Sequence, residues 1–256
     1  RKLEWQMERG VATGPSFVMT GAAREGDPIV VRWQAGEWGG EVEATVRERR
    51  PLELGAGIGY VGGEDDPVGL ALHSLGIELE PLEDLEPATL ARYRALLVGR
   101  EAHEKNYAGL RDNPAALMDF VQAGGSLAMM QIQDSSWQAA WLPAPLTFSN
   151  TTGSLGEIVQ PEHPLFTTPN RISSLAGMIS YDTMPSAGEE WTVLATDNAG
   201  QPSIVTMQAG EGRVLVVQPS PDRYVVGQET AIAPLTTDAC AALIENIVAW
   251  LQAAGG

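Results

Sequence analysis

The chain has 256 residues, 44% apolar, 19% charged and 6% aromatic, a balance that excludes disorder and coiled coil and leaves a folded globular chain with one sizeable core. Sixteen basic against thirty-three acidic side chains give a net charge of −17, which repels the nucleic-acid backbone and anionic membrane surfaces, so nucleic acid is not an expected partner. The single cysteine, Cys240, excludes an internal disulfide, a cysteine-rich zinc site and a Cys-x-x-Cys redox pair.

No run of about 18 apolar residues occurs, so no membrane span is expected. The sequence opens Arg1-Lys2-Leu3-Glu4-Trp5 with neither a start methionine nor a signal-peptide core, as expected of a processed chain or a piece of a longer one. Residues 1–50 hold eight basic and eight acidic side chains, so the whole net charge belongs to residues 51–256. This first stretch carries strand-like runs at Ser16–Thr20, Pro28–Trp33 and Glu41–Val46 separated by turn residues. Three strands bury little alone, so residues 1–52 read as a β-strand appendage or as the end of a β-sandwich. Trp33 and Trp38 there suit either a sugar-stacking platform or cover for an interface.

From residue 53 to 256 strands alternate with helices. Gly57–Gly63 reads as a short strand ending in glycines. Asp66 as N-cap and Pro67 at the first helical position then start a helix whose Val68, Ala71, Leu72 and Leu75 form one stripe, stopped by Gly76. Ile77–Glu80 reads as a strand, Glu86–Tyr93 as a short helix, and Ala95–Gly99 as an apolar strand of the kind buried in a parallel sheet. Asn113-Pro114 caps a helix with Leu117, Phe120 and Val121 inward, and Ser126–Gln131 comes next as a strand. Right-handed crossovers wind this β-α-β-α-β-α-β order into a doubly wound, mostly parallel sheet. Residues 134–190 are turn-rich and read as irregular chain over the sheet edge. Trp191–Ala195, Ser203–Met207 and Arg213–Val217 read as an antiparallel extension. Cys240, Leu243, Ile244, Ile247, Val248 and Leu251 put the thiol on the buried stripe of a closing helix.

The runs Gly57–Val61, Leu96–Arg100, Leu117–Leu127, Glu162–Leu165 and Gly212–Val216 resemble the class I glutamine-amidotransferase-like domains of the ThuA-like type, most of all those beside LmbE-type (PIG-L) deacetylase domains. The resemblance spans about residues 55–254. It implies a flavodoxin-like α/β sheet, frequent loss of the amidase triad, attachment to carbohydrate-active or exported modules, and often no catalysis.

Catalytic amidotransferases hold a cysteine on a strained turn after a central strand, where neighbouring N–H groups receive the oxyanion. Here that strand runs into Gln131-Ile132-Gln133-Asp134, with no cysteine or serine elbow, so no catalytic residue is assigned. Gly59, Gly62 and Gly63 lack the full dinucleotide spacing, and Glu64-Asp65-Asp66 would repel a pyrophosphate, so no cofactor is expected. Glu101, His103 and Glu104 with Asp65 or Asp134 offer donors for a metal, but a solvated loop explains them as well, and no metal is assigned. His73 reads as surface and His163 as a turn residue, while Glu189, Glu190 and Asp222 are carboxylates whose separation spacing alone cannot give.

Open α/β sheets bind ligands outside the carboxyl ends of their strands. Those ends carry Glu64, Asp65, Arg100, Glu101, His103, Asn106, Tyr107, Gln131, Gln133 and Asp134, with Trp137 and Trp141 just beyond as stacking faces. The set is a candidate crevice for a hydroxyl-rich ligand; strand capping and loop pinning are the competing account. Two function classes follow: a non-catalytic accessory or binding module of a larger, exported carbohydrate-processing protein, or a hydrolase or lyase acting on a sugar derivative. Expected partners are a carbohydrate and neighbouring domains of a longer chain, with homodimerisation left open.

Overall fold

The computed structural model of the chain describes residues 57–63, 65–132, 141–232 and 234–253, and before them the backbone of four strands. The chain divides into two compact units, Arg1–Pro51 and Leu52–Gly256. In the first, β1 (Gln6–Glu8) pairs antiparallel with β2 (Val11–Thr13), and β3 (Pro28–Ala35) with β4 (Trp38–Thr45). The β-branched run Ile29-Val30-Val31 favours the extended backbone of β3. The run Ser16–Thr20 and the side chains of Trp33 and Trp38 lie outside the described residues.

The second unit begins with β5 (Ile58–Val61), α1 (Pro67–Ser74), β6 (Glu80–Pro81), α2 (Pro87–Leu90), β7 (Ala95–Val98), α3 (Ala115–Gln122) and β8 (Ser126–Met130). It continues with β9 (Leu146–Ser149), β10 (Gly153–Ile158), α4 (Pro164–Thr167), β11 (Ile179–Ser180), β12 (Thr183–Ala187), β13 (Thr192–Asp197), β14 (Pro202–Ala209), β15 (Gly212–Val217), α5 (Pro221–Val225) and α6 (Thr237–Gln252). One sheet runs β11-β10-β13-β14-β15-β8-β7-β5-β6, and β9 pairs with β12 separately. The pairs from β15 to β6 are all parallel. Numbered by their order along the chain, those five strands lie 2-1-3-4-5, the flavodoxin-like order. The fold is therefore the expected α/β, mostly parallel, doubly wound sheet with an antiparallel extension through β14, β13 and β10.

Alternation along the strands builds the two faces. Leu97, Met130, Leu215 and Val217 join Cys240, Leu243, Ile247 and Leu251 of α6 in one core, while Leu96, Val98, Met129 and Val216 join Leu117 and Val121 of α3 in the other. The start of α1 is as read from the sequence, with Asp66 capping through Val68 N and Pro67 first in the helix.

Three readings need correction. Residues 141–190 are not irregular: β10 and β11 enter the main sheet and β9 and β12 form a pair of their own. The strand expected at Ile77–Glu80 is only Glu80–Pro81, because it sits at the sheet edge with a single neighbour. Helix α3 starts with Pro114, not Asn113, in the cap position.

Candidate functional site

In the 2-1-3-4-5 order the crevice that takes ligands opens between the carboxyl ends of β5 and β7, where successive connections leave in opposite directions. Here a side chain fills it. The buried Asp66 carboxylate accepts hydrogen bonds from Val68 N at 2.8 Å, Glu101 N at 2.9 Å and Tyr60 OH at 3.0 Å, joining the β5 loop to the β7 loop. Burial pushes the Asp66 carboxyl above the usual carboxylate range against the two backbone donors, and pushes the Tyr60 phenol up as well. The glycines around the plug are close approaches. A Cβ on Gly62 would stand 2.3 Å from the Tyr60 ring, and one on Gly99 2.6 Å from its hydroxyl. Of the glycines that hinted at a phosphate loop, Gly62 thus makes room for Tyr60, Gly63 for Tyr107 and Gly59 for Leu82.

Above the plug lies an exposed ionic lattice. Lys105 Nζ sits 2.6 Å from Asp65 Oδ2 and 2.9 Å from Glu101 Oε2, and Tyr107 OH donates to Asp65 Oδ1 at 2.5 Å. Hydrogen bonds from Lys105 and Tyr107 hold the Asp65 carboxyl below its ordinary range. Asn106 is a turn residue at φ 54°, its carboxamide tied to Asp112 and to Arg111 N, and His103 is half-buried.

The second cluster lies along the carboxyl edge of β7, β8 and β15. The registers set Val98 beside Met129 and Met130 beside Val217, so Arg100, Gln131 and the 218–222 turn succeed one another at that edge. Arg100 is buried, with Nε 3.4 Å from Oδ2 of the fully buried Asp222. Burial drives the Asp222 carboxyl up to about 6, against the attraction of Arg100 and helped by the nearby Asp66. Gln131 is buried and has φ +29°, a sign non-glycine residues rarely adopt; its N–H donates to Val217 O at 2.7 Å and its Oε1 accepts from the Ser220 hydroxyl. Gln218 holds the next turn, accepting from Ile132 N and donating to the Ile132 and Asp182 carbonyls.

The segment after β10 closes over this edge. Ser220 N donates to Ile179 O at 2.9 Å, Tyr224 OH accepts from Ile179 N, and Arg223 stacks on the Tyr181 ring at 4.0 Å. Among the described residues, Arg100 Nε and Nη1, Gln131 Nε2, Ser180 Oγ and both Asp222 carboxylate oxygens are buried and without a hydrogen-bond partner.

Of the residues expected at the crevice, the structure therefore brings Asp65 and Glu101 into the surface lattice and Arg100 and Gln131 into the buried cluster. Glu64, Gln133, Asp134 and Trp137 lie outside the described residues. Among the described residues no group of three or more His, Cys, Asp or Glu side chains is arranged to hold a metal ion. Glu189 and Glu190 precede β13, at the sheet edge opposite Asp222, so these carboxylates form no pair. His163 caps α4 through Leu165 N, and Cys240 is buried with its thiol pushed up to about 12 by desolvation.

A groove of about 530 Å³, lined among others by Tyr93, Arg94, Asp119 and Phe120, opens at the amino-terminal ends of β7 and β8, away from both clusters. The partners Lys105, Ser180 and Ser220 escaped sequence reading, and Asp222 was read only as a carboxylate to be paired with Glu189 or Glu190, not with Arg100. The polar run Gln218-Pro219-Ser220-Pro221-Asp222 directly after an apolar strand was the signal available for three of the edge residues.

No protein-family profile and no curated protein matches this chain. Among solved structures it is similar to a cytoplasmic protein of Salmonella typhimurium, STM3548, at 14% identity and TM-score 0.49, over 87% of this chain and 94% of that one. It is similar to a Thermoplasma acidophilum protein assigned as a GMP synthase subunit at 11% identity and TM-score 0.49, over 77% and 96%. It is also similar to an exo-β-1,4-mannosidase of an Opitutaceae bacterium at 14% identity and TM-score 0.43, over 63% of this chain but only 27% of the enzyme.

Proposed function

We propose that the second unit is a non-hydrolytic binding module of amidotransferase-like fold, serving a larger carbohydrate-processing protein of the LmbE-associated kind. The observation that carries this reading is Gln131. It follows β8 with φ +29°, the kind of strained strand-end turn on which hydrolases of this architecture expose a nucleophile. A carboxamide is no nucleophile, and this one is buried and engaged by Ser220. The one thiol, Cys240, sits on the core-facing side of α6 and cannot substitute for it. The test is a glutaminase assay on the whole chain beside a glycan-binding screen. Binding without turnover of glutamine or sugar is the expected result, and glutamine hydrolysis that survives Cys240→Ala overturns the reading.

One observation favours a second reading, a hydrolase or lyase acting on a sugar derivative. Asp222 is a buried carboxyl raised to about 6 beside Arg100, a value suited to general acid or base work near neutral pH. Under that reading Asp222→Asn abolishes a turnover that wild-type protein displays.

A further inference from the structure

We propose that the enclosed cluster of Arg100, Gln131, Ser180 and Asp222 is a site for a neutral vicinal diol, the recognition element of a sugar ring. This deepens, and rests on, the binding-module reading. Four side chains from four places in the chain converge here. Arg100 follows β7, Gln131 follows β8, Asp222 opens α5 after β15, and Ser180 ends β11. The convergence is held by contacts that do not use the unpartnered atoms: Ser220 N on Ile179 O, Ser220 Oγ on Gln131 Oε1, and Gln218 Nε2 on Asp182 O. The frame is therefore tied by other groups, and beside the Arg100–Asp222 ion pair the buried Arg100 Nη1, Gln131 Nε2, Ser180 Oγ and Asp222 Oδ1 keep their hydrogen-bonding capacity for a guest.

The chemistry of those atoms selects the guest. Arg100 Nε and Nη1 and Gln131 Nε2 are donors in need of acceptors, whereas the Asp222 oxygens are acceptors in need of donors. Ser180 Oγ serves as either. Folded proteins rarely leave such groups unpaired when buried, so this concentration calls for something that supplies both kinds of partner. An anion supplies acceptors only and would stand against the Asp222 carboxylate. A cation supplies the converse fault against Arg100. A hydroxyl both accepts and donates, and two adjacent hydroxyls can bridge Arg100 and Gln131 on one side and Asp222 on the other. The guanidinium, 3.4 Å from Asp222 Oδ2, already balances its charge, so a neutral guest leaves the net charge of the site unchanged.

The experiment is calorimetric titration of the full chain at pH 7.5 with methyl pyranosides carrying cis or trans diols. Their deoxy forms lacking one hydroxyl serve as controls, and acetate and sulfate as anionic probes. Ser180→Ala removes a hydroxyl that none of the described residues bonds, so it should fold as wild type, while Asp222→Asn replaces one acceptor oxygen by a donor. At least one pyranoside should bind, losing about tenfold or more in affinity on removal of one hydroxyl of the pair, and losing affinity again in Ser180→Ala and Asp222→Asn. Three outcomes overturn the site: no pyranoside binds at tens of millimolar, acetate or sulfate binds in its place, or a bound pyranoside is held equally by both variants. Turnover of a pyranoside whose binding the variants still weaken would keep the site and remove only the non-hydrolytic reading.

Discussion

Replacing Asp66 by alanine should damage the second unit more than any single surface change, and the size of the loss can be worked out from the groups the carboxylate touches. Its bond to Val68 N caps α1, and loss of an N-cap costs about 1 kcal/mol. Its other bonds satisfy Glu101 N and the hydroxyl of Tyr60, which is 3% exposed; a buried donor left unpaired costs about 1–3 kcal/mol. The loss is then about 3–7 kcal/mol out of a typical total of about 5–15 kcal/mol. For a unit of this size that corresponds to a fall in melting temperature of about 6–28 °C. Asp66→Asn keeps one oxygen for Val68 N and Tyr60 OH but turns an amide donor toward Glu101 N, so it should fall between wild type and alanine. Thermal and urea unfolding followed by circular dichroism give the order directly. A loss below about 1 kcal/mol for Asp66→Ala would refute the idea that the carboxylate fastens the β5 and β7 loops together.

Asp222 should make stability fall as pH rises. Its carboxyl goes from 3.8 when unfolded to about 6 when folded, so the native state holds the extra proton; the contribution is full below the unfolded value and is lost as pH passes through about 6. Full loss amounts to about 3 kcal/mol, and Asp222→Asn should flatten the melting-temperature slope between about pH 4 and 7, with Arg100, Arg223 and Asp66 as the charges facing the group. An unchanged slope would count against the buried carboxyl. Cys240 should resist thiol reagents in native buffer and react only on denaturation, since it is buried with its thiol near 12; rapid stoichiometric labelling of the native chain would contradict this. Asn246→Leu should destabilise by about 2–4 kcal/mol in urea unfolding, because the buried carboxamide accepts from Asn170 N and donates to the Leu165 and Asn170 carbonyls, groups that leucine leaves unpaired. Wild-type stability in this variant would show that water replaces the amide.

The elements legible in the sequence were those whose signal is local. The Asp66-Pro67 start of α1, the apolar runs of β7 and β8, and the stripe of α6 each announce themselves within a few residues. What stayed hidden depends on distant partners. Strand β10, Gly153-Ser154-Leu155-Gly156-Glu157-Ile158, has two glycines and little alternation, and it is held as a strand by β13 and β11 on either side. Arg100 read as a polar loop residue beside Glu101 and His103; only the β7–β8–β15 register brings it to Asp222 and puts both beneath the surface. Asp66 was legible as a cap, yet nothing local showed that its second oxygen reaches the β7 loop. Local propensity thus located the edge of the sheet where the candidate site lies, and long-range pairing decided which side chains face inward there.

The strain at Gln131 gives a test of whether that edge is a built site or an accident of packing. At an ordinary position alanine is more stable than glycine by about 0.5–1 kcal/mol, because glycine loses more backbone entropy on folding. At φ +29° the preference reverses, since a Cβ is disfavoured there and holding such a residue costs about 1–3 kcal/mol. Gln131→Gly and Gln131→Ala both lose the Ser220 contact and the same buried amide, so their difference isolates the backbone. The glycine variant should be more stable than the alanine variant by up to about 2 kcal/mol, measured by urea unfolding at pH 7.5. If the strain is kept because the Gln131 amide is needed at that place, glycine should also weaken pyranoside binding while stabilising the backbone relative to alanine. A glycine variant that is less stable than alanine would mean that the turn after β8 relaxes freely, and the resemblance of Gln131 to a nucleophile-bearing turn would then have no physical content.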